Sequence, residues 1–207
     1  MIMKTKARRP LWWAAVALVV MTSTAQAGTT SLVRWEVKES SCEIAAPTEL
    51  PLGPVDVTKM LSGNAWQHAG DQKFNITIND CNAGYTLGAG VRPSVQVEGK
   101  PAPVGAWLSL FKDDGDSVGL YIILLKAAKT AGSNTADNEV KNLETLWVPD
   151  GSGGYVQKDS PLAPNKSYLI PLTAAVACGP MDANGCKNPN IRAGELSALF
   201  TFVFAYR

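Results

Sequence analysis

Glu195-Leu196-Ser197-Ala198-Leu199-Phe200-Thr201-Phe202-Val203-Phe204-Ala205-Tyr206-Arg207 is the stretch whose reading decides the fold class. Leu196, Ala198, Phe200, Phe202, Phe204 and Tyr206 recur at every second residue, so an extended chain puts all of them on one face. Glu195, Ser197, Leu199, Thr201, Val203 and Ala205 take the other face. Chain ends ordinarily fray. A segment this apolar and this regular must therefore be held in a sheet, or by a partner.

The same period of two recurs upstream. Val33, Trp35 and Val37 alternate with Arg34, Glu36 and Lys38. Phe74, Ile76 and Ile78 alternate with Asn75, Thr77 and Asn79, directly before Cys81. Val91, Val95 and Val97 suggest another strand. Gly119 to Leu125 is a continuous apolar run, the pattern of a strand covered on both faces. Tyr168 to Val176 reads as a strand interrupted by Pro171, which predicts a bulge or an edge position because proline cannot donate to the ladder. Leu52-Gly53-Pro54, Asp113-Asp114-Gly115, Asp150-Gly151-Ser152-Gly153-Gly154, and Pro161 with Pro164 are turn signals. Helix is expected only as a short turn near Asp56 to Leu61, and the polar stretch Thr130 to Asn142 is expected as a loop. Short strands with frequent turns predict an all-β sandwich.

The start of the chain reads as a targeting segment. Lys4, Lys6, Arg8 and Arg9 precede an apolar run from Leu11 to Met21, too short for a confident membrane span. Ala25-Gln26-Ala27 follows as a small-x-small cleavage site, completing the pattern of a secretory signal peptide over residues 1–27. Cleavage would leave 180 residues from Gly28. It would remove four basic and no acidic residues, turning a net charge of +1 into −3. That balance argues against a polybasic nucleic-acid surface.

Cys42, Cys81, Cys178 and Cys186 make an even count in an exported chain, which points to disulfides. Of the three pairings, Cys42–Cys81 and Cys178–Cys186 are favoured. The first links two segments that read as strands, and the second closes a small loop holding Gly179, Pro180, Asn184 and Gly185. In the chain-entropy model the longer loop contributes about 4 kcal/mol and the shorter about 2.5 kcal/mol. Zinc is disfavoured, because no cysteine pair has C-x₂-C spacing and His68, the sole histidine, is remote in sequence from both pairs.

Catalytic chemistry finds little support. A serine or cysteine nucleophile needs a base within reach, most often histidine. His68 is expected as an exposed histidine in a polar, glycine-bounded loop. Asp113, Asp114 and Asp116 lack the spacing and terminal Glu of an EF-hand loop and read better as a hairpin turn. No motif supports the carboxylate pair of a glycosidase. Trp66, Trp107 and Trp147 suit core or interface packing better than sugar stacking. No cofactor or metal is expected, and the chain is read as a non-enzyme.

Four features together resemble the pilins of the chaperone–usher pathway, the fimbrial subunits of Gram-negative bacteria. They are Val37-x-x-x-x-Cys42-x-Ile44 soon after a signal peptide; Leu52-Gly53 followed by Phe74-x-Ile76-x-Ile78-x-x-Cys81; Tyr168-x-x-Pro171-Leu172-x-Ala174; and Ala193-Gly194 followed by Ala198, Phe202, Phe204 and Tyr206. The resemblance implies an incomplete immunoglobulin-like sandwich over residues 42–207 that lacks its final strand. It implies an open apolar groove beside the last strand, Leu196, Ala198, Phe200, Phe202, Phe204 and Tyr206 being the groove and chaperone-recognition strand. A periplasmic chaperone fills such a groove first, and the extension of the next subunit fills it in the fibre, a form of β-augmentation. The extension of this chain is residues 28–41, with Val33, Trp35 and Val37 as its donor-strand face. Family extensions carry glycine seven residues before the first cysteine, and this chain carries Trp35 there. That departure, the second cysteine pair and the length favour a minor or tip subunit.

The implied partners are a periplasmic chaperone, an outer-membrane usher and other fimbrial subunits, with no nucleic acid. The implied route is export to the periplasm and then the cell-surface fimbrium. A carbohydrate-binding adhesin on the same sandwich, with a host receptor or glycan as its partner, is the alternative.

Overall fold

The computed structural model describes residues 29–38, 42–61, 67–81, 89–102, 108–126, 138–179 and 185–207. The expected signal peptide lies outside them. Nine strands are formed among the described residues: β1 Thr29–Lys38, β2 Glu43–Ala45, β3 Glu49–Val55, β4 His68–Asn79, β5 Pro93–Gly99, β6 Leu120–Leu125, β7 Glu144–Trp147, β8 Tyr168–Cys178 and β9 Leu196–Tyr206. A short α-helix, α1 Thr58–Leu61, stands where the sequence predicts a helical turn. Asp56 Oδ1 accepts from Thr58 N at 2.9 Å and satisfies one of the free donors at its start.

The strands form two sheets, one of order β3-β1-β9-β5-β7 and one of order β2-β4-β8-β6. The inward faces meet in a single core. Phe74, Ile76 and Ile78 of β4, Val95 and Val97 of β5, and Phe200 and Phe202 of β9 all belong to it. Phe111 packs edge-on against Phe200 with ring centroids 4.7 Å apart. The continuous apolar run of β6 is explained by two burials. Leu120, Ile122 and Leu124 face the main core. Ile123 and Leu125 face a smaller cluster with Ala102, Leu110, Ala175 and Ala177.

Both disulfides pair as the sequence predicts, Cys42 with Cys81 and Cys178 with Cys186. Pro171 lies within β8 opposite Asn75 of β4. Among the described residues the pairing of β6 with β8 stops at Thr173, so Pro171 occupies a locally unpaired edge, which fits its missing N–H.

Two expectations fail. Leu52-Gly53-Pro54 is not a turn between strands. It lies inside β3, where the register against β1 shifts between Ser31 and Leu32 and Gly53 takes φ +68°. Breaker residues here make a bulge, with Leu52 and Val55 both still directed inward. His68 is not an exposed loop residue either. It opens β4, is 1% exposed, and sets its Nε2 3.2 Å from Asp71 Oδ2. The Gly70 that marked a loop bends the strand instead. It takes φ +73° where the β4–β8 register shifts, and a Cβ on it would stand 2.5 Å from Val55 Cγ2 of β3.

Candidate functional site: a strand seat beside β9

The site is the gap that β1 occupies. β3 and β9 are not paired with each other; both pair with β1. β1 runs antiparallel to β3, from Thr29↔Val55 to Arg34↔Glu49. It runs parallel to β9, from Ser31↔Leu196 through Val33↔Ala198, Trp35↔Phe200 and Val37↔Phe202 to Lys38↔Val203. Remove β1 and two rows of backbone N–H and C=O groups are left facing each other across one strand's width, above the core. Empty, such a seat would be a template for any extended chain.

The filling of the seat follows the alternation. Val33 is 0% exposed and Ser31 1%, whereas Arg34 points to solvent. Arg34 meets Glu49 of β3 at 3.4 Å, both side chains more than half exposed. Water screens a pair so placed, and its contribution to stability is small. Ser31 is the exception in the packed row. Its Oγ is buried with no hydrogen-bond partner.

β9 itself is fixed from its other edge. Its second half pairs with β5, from Gly99↔Phe200 to Pro93↔Tyr206. Its first half pairs with the 113–117 loop, so Asp113, Asp114 and Asp116, expected as a hairpin turn, instead lie along an edge of β9. Asp113 N donates to Ser197 O at 2.9 Å, Ser197 N to Asp114 O at 3.1 Å, and Ser117 N to Glu195 O at 3.1 Å. The side chains add to this. Asp113 Oδ2 accepts from Leu199 N, and Asp116 Oδ1 accepts from Glu195 N at 2.7 Å. Gly194 is required for the second bond, because a Cβ there would sit 2.2 Å from Asp116 Oδ1. These carboxylates pin a strand, and no group of three or more metal-ligating side chains occurs among the described residues. On the solvent side, Leu32, Arg34, the 113–116 loop and residues 195–199 border a shallow hollow of about 860 Å3.

The residues assigned to the groove strand are placed as their period predicts: Leu196, Ala198, Phe200, Phe202 and Phe204 are buried on the core face. Phe202, Phe204 and Tyr206 do not all lie beside β1. β1 ends opposite Val203, so only Phe202 of the three lies alongside it. Phe204 packs edge-on against Tyr206 at 5.2 Å, and Tyr206 Oη accepts from Leu162 N at 3.2 Å. A charge introduced at Phe204 would therefore break the sandwich itself.

The chain end is tied down by its own sheet. Arg92 N donates to Arg207 O at 2.6 Å, Arg207 N donates to Arg92 O at 2.9 Å, and the Arg207 guanidinium donates to Gln96 Oε1 at 2.6 Å. Of the three tryptophans weighed for sugar contact, Trp66 and Trp107 lie outside the described residues. Trp147 is half-buried on β7 with the Arg92 guanidinium 5.5 Å above its ring. Sequence reasoning missed β3 as the second wall of the seat, because its bulge residues carry turn chemistry. The Leu50, Leu52 and Val55 pattern, once a one-residue insertion is allowed, is the signal that would have found it.

No family model and no curated protein matches the chain. Among solved structures it is similar to the P pilus rod subunit PapA, at 15% identity and a TM-score of 0.49, over 81% of this chain and 100% of that one. It is also similar to a chain of a chaperone–usher pilus whose structure concerns rod uncoiling. There the identity is 13% and the TM-score 0.48, over 83% of this chain and 91% of that one.

Proposed function

We propose that this chain is a structural subunit of a chaperone–usher fimbria, exported to the periplasm and assembled at the cell surface by donor-strand complementation. The observation that carries the reading is the seat between β3 and β9. It is a strand-wide gap over the core, filled by residues 29–38, the segment expected to be an extension. A sandwich whose sheet closes only when an extension is added is built to exchange strands with neighbours, since backbone pairing supplies affinity and alternate side chains supply fit. The chaperone, the usher and the other subunits are the partners this reading requires. Trp35, opposite Phe200 where family extensions carry glycine, and the additional Cys178–Cys186 bridge favour a minor or tip position.

The adhesin alternative draws on Trp66, Trp107 and Trp147; the first two lie outside the described residues, and the Arg92 guanidinium covers one face of the third, so the seat between β3 and β9 makes the structural role the better supported. The test is co-expression of the whole precursor with the periplasmic chaperone and usher of a fimbrial system from its own genome. The expected result is a stoichiometric complex with the chaperone and incorporation into surface fibres. Equal periplasmic levels with and without the chaperone, and no complex, would refute it.

A further inference from the structure

We propose that Arg92 and Arg207, on the outer face of the sheet β3-β1-β9-β5-β7, form a binding site for a sulfate or phosphate group. The two residues are joined by reciprocal main-chain bonds, Arg92 N to Arg207 O at 2.6 Å and Arg207 N to Arg92 O at 2.9 Å. Residues paired in this way stand about 5.5 Å apart at Cα and send their side chains to one face. That face is the solvent one, because the alternate residues Val95, Val97, Phe202 and Phe204 face the core. The site lies on the β5 side of β9, away from the strand seat, and does not rest on the fimbrial reading.

Like charges on directly paired residues of neighbouring strands are destabilising, and nothing local relieves this pair. Among the described residues neither guanidinium meets a carboxylate, and Arg92 Nε is buried without an acceptor. Asp159 reaches the same end of β5 through Val91 O, but its Oδ1 accepts from Gly90 N. Asp150, just beyond β7, is engaged within its own turn by Ser152 and Gly154. Glu98 lies further along β5, two residues past Gln96. Both guanidiniums are nevertheless held in place. That of Arg92 lies 5.5 Å above the Trp147 ring, and that of Arg207 donates to Gln96 Oε1 at 2.6 Å. Gln96 is itself oriented, since its Nε2 donates at 2.9 Å to the carbonyl of Leu143, a residue held at φ +63°. Both arginines reach back along the face to make these contacts, across the row of Ser94, which is 0% exposed although it belongs to the outward face.

The anchors set the span of the site. Ser94 pairs with Trp147 and Gln96 with Thr145, so Gln96 and Trp147 are diagonal neighbours on one face. Such positions lie about 7–8 Å apart. One tetrahedral oxyanion bridges two guanidiniums anchored so, through charge-assisted bonds of about 2.7–2.9 Å to each. Arginine suits the task, because a guanidinium lying over a ring keeps its N–H edge free for an anion. Bound there, the anion cancels the repulsion between the pair. The face is open, so salt screens a single free ion at it. A saccharide carrying several sulfates returns a second group to the site whenever the first leaves, and so binds more tightly. The mature chain is net negative, so the attraction comes from this patch and not from overall charge.

The experiment uses the full mature chain as wild type, Arg92→Gln, Arg207→Gln and the double variant, with Lys187→Gln as an exposed basic control on another element. The probes are inorganic sulfate, inorganic phosphate, a labelled heparin hexasaccharide, its desulfated form and a hexaglutamate peptide, followed by fluorescence anisotropy and thermal melting. The expected result is uptake of the sulfated hexasaccharide, with the desulfated form and the peptide about tenfold weaker or more. Each single arginine substitution should weaken uptake about tenfold, and Lys187→Gln should leave it unchanged. Uptake should fall as sodium chloride rises from about 50 mM to about 500 mM. Arg207→Lys keeps the charge without the fork and should also bind more weakly than wild type, which keeps the test open should the double variant fail to fold. Sulfate or phosphate binding without the hexasaccharide supports the site and assigns it to a free anion. Equal uptake of the hexasaccharide by a folded double variant, or by both single variants, would overturn the proposal. So would no response to sulfate, phosphate or the sulfated probe, or tighter binding of hexaglutamate than of that probe.

Discussion

Phe200→Ala is the most direct probe of the alternation on which the fold rests. Phe200 is 0% exposed, at the centre of β9, with β1 on one side and β5 on the other. Its ring meets Phe111 edge-on at 4.7 Å, and Gly99 leaves no room beyond the two rings, a Cβ there falling 2.8 Å from Phe111 Cδ1 and 3.1 Å from Phe200 Cδ1. Truncation in so closed a site leaves a cavity that neighbours cannot fill, and phenylalanine-to-alanine changes of this kind cost about 3–5 kcal/mol. Within that sum, the edge-on ring pair accounts for about 0.5–1.5 kcal/mol. For a domain of this size, 1 kcal/mol moves the melting temperature by about 2–4 °C, so a fall of roughly 6–20 °C is expected.

The assay is urea unfolding and thermal melting of the mature chain, followed by near-ultraviolet circular dichroism. Leu199→Ala, next in sequence but 44% exposed on the opposite face, is the control and should change stability by no more than about 0.5 kcal/mol. A double-mutant cycle with Phe111→Ala should return the ring-pair coupling of about 0.5–1.5 kcal/mol. A loss below about 1 kcal/mol for Phe200→Ala, or an equal loss for Leu199→Ala, would show that the face assignment of β9 is wrong.

Gly115→Ala should cost about 2 kcal/mol or more in the same melting assay, because Gly115 takes φ +109° and a Cβ would lie 2.1 Å from Glu195 O. Gly151→Ala, at φ +85° with open space around it, should lose only the backbone part, about 1 kcal/mol. Replacing Cys178 and Cys186 together by serine should cost about 2.5 kcal/mol, and replacing Cys42 and Cys81 about 4 kcal/mol, read by urea unfolding; equal losses would contradict the loop-closure account. The Asp150 carboxylate accepts hydrogen bonds from Ser152 N, Ser152 Oγ and Gly154 N, which hold it below the ordinary aspartate range. A carboxyl so depressed contributes order to the 150–154 turn above its unfolded pKa and loses it as pH falls through the lower folded value. Carbon-detected titration should place the Asp150 inflection below that of a free aspartate, and one at or above it would refute the assignment.

What the sequence made legible was whatever depended on period and spacing. The core faces of β4 and β9, the doubly buried run of β6 and the helical turn at α1 follow from local pattern alone, and the favoured cysteine pairs from strand placement and loop size. Less legible were the residues whose meaning depends on a distant segment. His68 is polar and flanked by glycine, yet it is buried because a bulge at Gly70 folds β4 over Val55. Asp113 and Asp116 carry the composition of a turn, and their use is to accept N–H groups of a strand some eighty residues further on, at Leu199 and Glu195. β3 was hidden by its own bulge. The seat was legible only in part: the period of Val33, Trp35 and Val37 marks a strand, but nothing local says which strands it lies between.

The position of β9 has a consequence for the order of folding. One sheet gathers residues 49–55, 29–38, 93–99 and 144–147 around a strand at 196–206. A chain emerging from its N-terminus has made every other strand before the one that joins them. Its contacts are dominated by pairings distant in sequence, which makes closure slow because the loops must be ordered before the contacts form. Until residues 196–206 arrive, β1 and β5 lack the strand that bridges them, and the 113–117 loop lacks the backbone it pins. This sheet therefore cannot close until its last strand has been made, and β1 and β5 keep an unpaired edge until then.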